Sequence, residues 1–517
     1  MLTIGIDFGN INSFPCVIQN MDMQTRRGGT EVSLLPATTQ YTTGIPTCYF
    51  CSPTGDERFG VEARGATPSS NQRRMLKRHL LNMPQFPSRE IIGNHQVDYD
   101  NVVSRMIEYI VRKANEVMQQ ELGETSNEIS LAYPVDFLSS EVQHLIELAE
   151  RGTLADGRHI RVVGNIHEPA AAALAYLSMI PITKSEYNVV VYDLGGGTLD
   201  VASVTARLNG SSIQDGIKTY DILGQDGVKI GGHEFDSIME EIAKEKLGTL
   251  PTGPRLVSLR YRLEEAKINL DHNAEASIDI GLDDIVITQQ EFHTRARPLI
   301  NRTLDVLDHV LHLQNVPTPE VIVLTGGQSQ MPLIREMLLQ RFKNFRPDQV
   351  VAYSPQRAIA IGAARYGVLN RSAHQQHAAA QPGPVIKRNQ YMIGTEVLGR
   401  GSGIGYHIEH FIQQHSIIPT PPAERKWKIF ATMTDGQETM DCSVFEAKRL
   451  DPDVTNVERD FKRTIAIKHE FGRKVPIGTP MEMCVYVDEL DIIHVLVRDP
   501  RNPSVVREEQ TILTNFA

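Results

Sequence analysis

Val189-Val-Val-Tyr-Asp-Leu-Gly-Gly-Gly-Thr-Leu-Asp200 is the stretch that decides how this chain reads. Val189 to Tyr192 suit a buried strand, and Asp193 follows it, before three glycines, Thr198 and Asp200. Gly195, Gly196 and Gly197 let the backbone come close to a bulky polyanion, so that N–H groups can point inward. An acid at the mouth of such a turn can hold a hydrated Mg2+. The Thr198 hydroxyl can donate a hydrogen bond. A glycine-rich hairpin with no ligand has the same composition, so the run needs a second signal.

The N-terminus supplies one. Residues 2–6 have a strand pattern, followed by Asp7-Phe8-Gly9-Asn10-Ile11-Asn12. Each copy reads as strand, acid, glycine turn, polar side chain, strand. Two such hairpins could close on one phosphate chain from opposite sides, with a nucleotide between two similar lobes. A third glycine pair ends Val321-Ile-Val-Leu-Thr-Gly-Gly327 and precedes a helical run over 331–342, whose N–H groups could face the same ligand.

Composition sets the limits. At 517 residues, more than one domain is expected. A hydrophobic share of 41% and a charged share of 22% are ordinary for a soluble globular protein. The net charge of −11 argues against general binding to nucleic acid or an anionic membrane. No apolar run reaches the roughly 18 residues of a membrane span. Met1-Leu-Thr-Ile-Gly-Ile lacks a basic region, so no signal peptide is expected and the cytoplasm follows. Five cysteines, at 16, 48, 51, 442 and 484, fit free thiols in a reducing compartment. Cys48-x-x-Cys51 is half a zinc pattern, and no second pair completes it.

Along the chain, residues 42–64 read as short strands and 71–81 as a basic helix carrying Lys77. Composition alone leaves that lysine as a solvated surface residue. Val103, Met106, Ile110, Val117 and Met118 predict a helix over 102–122. A strand over 129–133, a helix over 139–151 capped by Ser139 or Ser140, and a strand over 160–163 follow. His167-Glu168-Pro169 opens an alanine-rich helix, where Glu168 could be no more than a favourable first-turn acid. Gly231-Gly-His-Glu-Phe-Asp236 starts another helix. Further helices are expected over 256–270, 289–312 and 354–369. Residues 371–384 have almost no apolar bulk and read as a linker. Residues 385–517 alternate apolar and polar side chains and read as an all-β domain of sandwich type.

Nine motifs together resemble the heat shock protein 70 family, of the DnaK type. They are Ile4-Gly-Ile-Asp-Phe-Gly9, Leu76-Lys77-Arg78, Tyr133-Pro134, Ile166-His-Glu-Pro-Ala-Ala-Ala-Ala-Leu-Ala-Tyr176, Tyr192-Asp-Leu-Gly-Gly-Gly-Thr-Leu-Asp200, Gly231-Gly-His-Glu-Phe-Asp236, Glu264-Glu-Ala-Lys267, Gly326-Gly-Gln-Ser-Gln-Met-Pro332 and Ala360-Ile-Gly-Ala-Ala364. Their order and spacing carry the resemblance. It implies an actin-like, two-lobed α/β ATPase domain (ribonuclease H-like duplicated lobes) over 1–370, the linker, and a β-sandwich that holds extended peptides. On it, Asp7 and Asp193 position Mg2+ through water, and Lys77 and Glu168 serve the attacking water. Thr198 would contact the γ-phosphate and Asp200 the ion-and-water network. Gly9, Asn10, Ile11, Asn12, Gly195, Gly196, Gly197, Gly231 and Gly232 would surround the phosphates of ATP or ADP. Glu264 and Lys267 would hold ribose and adenine, with Gly326, Gly327 and Gln330 beneath the adenosine. Leu398, Phe430 and Met440 match apolar walls of the peptide groove, though plain core is an equal reading of them. K+ is a further candidate ion. An unfolded polypeptide, a J-domain co-chaperone and an exchange factor are the implied partners, of a monomer.

The sequence also departs from the family. Two threonines of the first phosphate loop are Asn10 and Ile11 here, so one hydroxyl donor is lost. The arginine that stacks on adenine is Gln330, and an aspartate is Gln356. An arginine that partners Pro134 falls on Val142. Pro384-Val-Ile-Lys387 replaces an apolar, acid-ended linker, and no helical lid is expected after the β domain. Two functional readings follow: an ATP-hydrolysing chaperone, or a nucleotide-binding scaffold with one dedicated partner and little turnover. The β domain and the 166–176 motif count against a filament former or a sugar kinase of the same fold.

Overall fold

The computed structural model describes residues 2–22, 27–41, 44–80, 86–180, 184–209, 217–279, 284–313, 315–375, 385–389, 391–398, 406–447 and 462–510. Much of the expected linker, from 376 to 384, lies outside them. The chain divides into two compact units. One comprises Met1–Asp136 and Leu148–Val385, the other Phe137–Glu147 and Ile386–Ala517. Among the described residues no helix is long and apolar enough to cross a membrane.

The first unit repeats one pattern in two sheets. In the first sheet the buried strand Ile4–Asp7 runs parallel to Glu128–Tyr133 and antiparallel to Asn12–Asp22. In the second, Glu186–Leu194 runs parallel to Val321–Thr325 and antiparallel to Leu199–Asn209. Both central strands are apolar because both faces are covered, as parallel pairing requires. Each ends at an aspartate, Asp7 in one and Asp193, one residue from the end, in the other.

Helices Glu168–Met179 and Ala358–Gln375 pack together in this unit. Small side chains set how close they come. A Cβ on Gly362 would overlap the Ala171 carbonyl, and one on Gly5 would overlap the backbone of Ala364. The alanine run Ala170, Ala171, Ala172 and Ala173 is fully or almost fully buried for the same reason. Interiors packed to this density have no room to accept a larger residue.

Several elements differ from expectation. Among the described residues of the basic helix expected over 71–81, only Leu76–His79 is α-helical, because Gln72–Arg73 pairs with strand Tyr49–Cys51 and Met75 takes a left-handed conformation (φ 61°); residue 81 lies outside the described residues. Strand Glu57–Phe59 ends at Gly60, and a helix, Gly60–Arg64, occupies the rest of the range expected to hold short strands. A strand at Ile217–Val228 was not foreseen; its Asp221, Gln225 and Asp226 hide the apolar alternation. The last helix of the unit runs to Gln375, five residues into the expected linker. Its alanine and glutamine residues favour helix, and Arg371 forms an ion pair with Glu128 at 2.6 Å.

The second unit contains two four-stranded antiparallel sheets, in the orders Tyr406–Ile412, Met392–Leu398, Gln437–Ala447, Lys462–Val475 and Lys428–Ala431, Pro480–Val487, Ile493–Arg498, Val506–Gln510. They share one core, in which Ile393, Val444 and Ile467 of one sheet meet Met481, Val485 and Val495 of the other. Period-2 alternation produces this, since every second side chain turns inward. On the other side of the second sheet, the His494 imidazole lies between Asp488 (2.9 Å) and Glu508 (2.8 Å) and stacks on Tyr486. Burial works against its proton, yet the two carboxylates hold its pKa above the ordinary value.

Two consequences can be measured. Gly362→Val should destabilise the first unit by about 3 kcal/mol, the upper range for overpacking, read as a lower urea midpoint. Gly362→Ala should cost less. For His494 the folded pKa is the raised one. Its ion pairs are therefore complete below about 6.5, the unfolded value, and are lost as pH climbs through the folded value. The thermal midpoint of the second unit, followed in the full chain, should fall over that interval, and His494→Gln should flatten the slope.

Candidate functional site

Two glycine turns and a third loop meet in the first unit. After Asp7, Gly9 makes a turn too tight for a side chain, because a Cβ there would overlap the Asn12 carbonyl. After Asp193, the turn closes with the Gly195 N–H donating to the Thr198 carbonyl at 3.0 Å. The turns face each other. Ile11 lies against Gly196, and the Asn10 amide lies against Gly197. Gly326 (φ 80°) passes so close to Leu194 and the Asp193 carboxylate that a Cβ would overlap them. Gly231 fits equally tightly against Gly197. The carbonyls of Gly195 and Gly196 accept from the N–H groups of Gly232 and His233, each at 2.9 Å, which fixes the second turn to the start of helix Gly232–Leu247.

Charge is concentrated where these loops converge. Asp7, Lys77, Glu168, Asp193 and Asp200 are all buried, with Lys77 only 3% exposed. The Lys77 ammonium donates to the Glu168 carboxylate. Asp193 and Asp200 sit opposite each other on the hairpin ladder. One oxygen of Asp200 accepts from the Val135 N–H at 2.7 Å. Its other oxygen, and Asp193 Oδ1, are buried with no donor among the described residues. Burial, and then Glu168, push the Asp7 carboxyl up to about 7 against the pull of Lys77. Burial and the neighbouring carboxylates raise Asp193 and Asp200 well above the ordinary range, although the Thr198 hydroxyl and the Val135 N–H oppose this at Asp200. Lys77 stays charged: burial disfavours its proton, but Glu168 and Asp7 more than compensate.

Four buried carboxyl groups share one ammonium, so three of them hold their protons more firmly than ordinary acids and a cation brought among them would displace those protons. Buried acids whose lone pairs no donor engages are the ligand set of a hard, oxygen-seeking cation. Among the described residues no three acid, histidine or cysteine side chains converge as a direct metal cage. Mg2+, which keeps several of its waters, fits such a site through its hydration shell.

The rim residues already have partners. Glu264 is ion-paired with Arg74 at 3.0 Å, Lys267 with Asp236 at 2.6 Å, and Tyr261 donates to Gln72 at 3.0 Å. Glu264, Lys267 and Tyr261 all lie on helix Pro254–Asn269. Gly327 and Gln330 lie on one short turn after strand Val321–Thr325, where Gln330 donates to the Ser329 hydroxyl. Asn12 starts its strand with its side-chain oxygen buried and unpartnered. The proposed peptide-contacting residues are in the second unit. Phe430 and Met440 are partly buried against its core, and Leu398 pairs through its backbone with Tyr406. Sequence reading assigned no role to Arg74, Arg78 or Asp136. For the two arginines the signal available was the run Arg73-Arg74-Met75-Leu76-Lys77-Arg78, with its density of cations, whereas Asp136, whose charge raises the Asp200 pKa, has no local signal.

A family model described as Hsp70 protein matches residues 93–458. The chain belongs to the Hsp70 family. It is 28% identical to a heat shock 70 kDa protein of Neurospora crassa, over 72% of this chain and 55% of that one. It is 26% identical to heat shock cognate 70 kDa protein 3 of Dictyostelium discoideum, over 78% of this chain and 61% of the relative. It is also 26% identical to heat shock protein hsp-6 of Caenorhabditis elegans, over 96% and 73% respectively. The match thus spans between half and two thirds of the length of the first two relatives.

Buried acids whose pKa values are raised on folding lower stability at neutral pH. Asp193→Asn removes an acid that is costly to bury and keeps the shape. The variant should raise the thermal midpoint of the ligand-free chain, by about 1 kcal/mol of stability, the scale of such substitutions at strained sites. Added Mg2+ should then stabilise the wild type more than the variant.

Proposed function

We propose that the first unit is an actin-like nucleotide-binding domain that binds Mg-ATP and hydrolyses it slowly, and that the β domain from about residue 385 holds extended polypeptide. The observation that carries this reading is the buried set of Asp7, Lys77, Glu168, Asp193 and Asp200 between two glycine turns. Phosphoryl transfer requires placement and charge neutralisation more than covalent chemistry, and this set supplies both. Asp7 and Asp193 would hold Mg2+ through water, and the ion would screen the charge of the phosphates when bound. Gly9 and Gly195 to Gly197 bring the backbone to the phosphate chain. Thr198, near enough to Asp200 to lower its pKa, would stand next to the terminal phosphate. The Lys77–Glu168 ion pair fixes both groups, so that Glu168 can orient a water while Lys77 faces developing negative charge. Glu264 and Lys267 would reach the nucleoside once it displaces part of their present pairing, with Gly326, Gly327 and Gln330 on its other side.

A second reading is favoured by a specific contact. Lys387, at the very start of the β domain, is buried in the second unit and ion-paired with Asp491 at 2.6 Å. A segment committed in this way is less free to report nucleotide state. The second reading is a nucleotide-binding scaffold with a dedicated partner and little turnover.

One experiment separates them and tests the site. ATP turnover is measured for the full chain alone, with a panel of extended peptides, and with a J-domain protein. A chaperone accelerates with both additions, and a scaffold responds to neither. Lys77→Ala should lower turnover by about 100-fold, the low end for a group acting on the transferred proton or developing charge, while ATP still binds. Unchanged turnover would return Lys77 to a structural role.

A further inference from the structure

In the second glycine turn, the three carbonyls have two kinds of partner. Gly195 and Gly196 accept from the backbone N–H groups of Gly232 and His233. The Gly197 carbonyl accepts from a side chain, Nη2 of Arg78, at 2.5 Å. A trans peptide is planar, and its C=O and the next N–H point in opposite directions. Fixing the carbonyls of Gly195, Gly196 and Gly197 therefore aims the N–H groups of Gly196, Gly197 and Thr198 the other way. Among the described residues none of these three N–H groups has a protein acceptor. Successive free N–H groups form a concave anion site. The first two planes of that site are held by backbone alone, and only the third depends on a side chain.

Arg78 is built for that task. It lies on the short helix Leu76–His79, beside Lys77, and is 8% exposed. The Met75 N–H at the start of this helix donates to the Asn10 carbonyl of the first turn (3.2 Å), so the helix is fixed to that turn as well. The Arg78 guanidinium also meets Glu234 at 3.3 Å and covers the Phe86 ring at 5.5 Å. Glu234 in turn accepts from the Gly231 N–H at 2.7 Å, at the start of helix Gly232–Leu247. Nη2 alone makes both contacts, and the planar guanidinium fixes their directions as a freely rotating ammonium does not.

We infer that Arg78 is a positioning residue for the nucleotide phosphates: by holding the Gly197 carbonyl it aims the Thr198 N–H into the phosphate site. The inference rests on the nucleotide reading above and adds to it a residue outside the charged cluster. The Thr198 hydroxyl then works from a backbone that Arg78 has oriented. The contribution belongs to phosphate binding and not to the chemical step, which Lys77 and Glu168 serve.

The test compares ATP, ADP and adenosine affinities and ATP turnover for wild type, Arg78→Gln, Arg78→Lys and Glu234→Gln in the full chain. Arg78→Gln should weaken ATP and ADP about tenfold, equivalent to about 1.4 kcal/mol. Adenosine affinity should not move, and turnover at saturating ATP should change far less than in Lys77→Ala. Arg78→Lys should recover only part of the loss. Glu234→Gln, which loosens Arg78 and leaves it in place, should show the same pattern more weakly and guards against an Arg78 variant that does not fold. Unchanged ATP and ADP affinity overturns the inference, and so does an equal loss for adenosine, which would make Arg78 a general structural residue. A wild-type chain that binds neither ATP nor ADP overturns the nucleotide reading, and this inference with it.

Discussion

The burial of several carboxylates around one lysine is the constraint on which the rest of the first unit depends. Transferring a charge out of water is costly unless it is paired, and a group left unpaired shifts its pKa or finds a counter-ion. Here Lys77 answers Glu168, while Asp193 and Asp200 keep oxygens with no donor among the described residues. A fold selected only for stability would not retain that arrangement, since apolar residues at the ends of these strands would be cheaper. The acids sit there because each central strand delivers one to the same place, and the glycine turns beyond them leave no side chain to fill the space.

Holding those strand ends in register requires a rigid frame. The helices Glu168–Met179 and Ala358–Gln375 provide it by approaching at backbone distance, with Gly362 on Ala171 and Gly5 on Ala364. The same helix that packs through Ala170 to Ala173 opens with Glu168 in the charged cluster. A shift in its packing therefore moves a charged group directly. This explains why residues with little chemistry of their own, the alanine run, lie beside those with the most.

Much of this was legible in the sequence, because glycine next to an acid at a strand end has few other uses. Asp7, Gly9, Asp193 and Gly195 to Gly197 announce themselves by local spacing alone. Other elements depend on tertiary context. The strand Ile217–Val228 is polar on the face that the periodicity needed, and Leu76–His79 is too short for any helical period to register. Arg78 could not be told from a surface arginine, since its partner Gly197 lies 119 residues away. Conversely, the helix that continues to Gln375 was hidden by a composition that suits linkers as well as helices.

The second unit shows the same logic in a different chemistry. The turn after Pro480–Val487 is fixed from two sides. Asp488 accepts from the Leu490 and Ile492 N–H groups, and its other oxygen meets His494. Three residues on, Asp491 adopts a left-handed conformation (φ 61°) and meets the buried ammonium of Lys387, which also donates to the Glu489 carbonyl at 3.0 Å. A buried ion pair of this kind adds little net stability over an apolar pair, because desolvation offsets the attraction. What it adds is directional: an apolar residue at 387 would be satisfied by any greasy neighbour, whereas a buried ammonium accepts only a position where its donors are matched. Strand Val385–Arg388 is thereby held in one register against Ile417–Ile418. The start of the β unit is thus specified by charge, at the point where hydrophobic alternation alone would tolerate a slip.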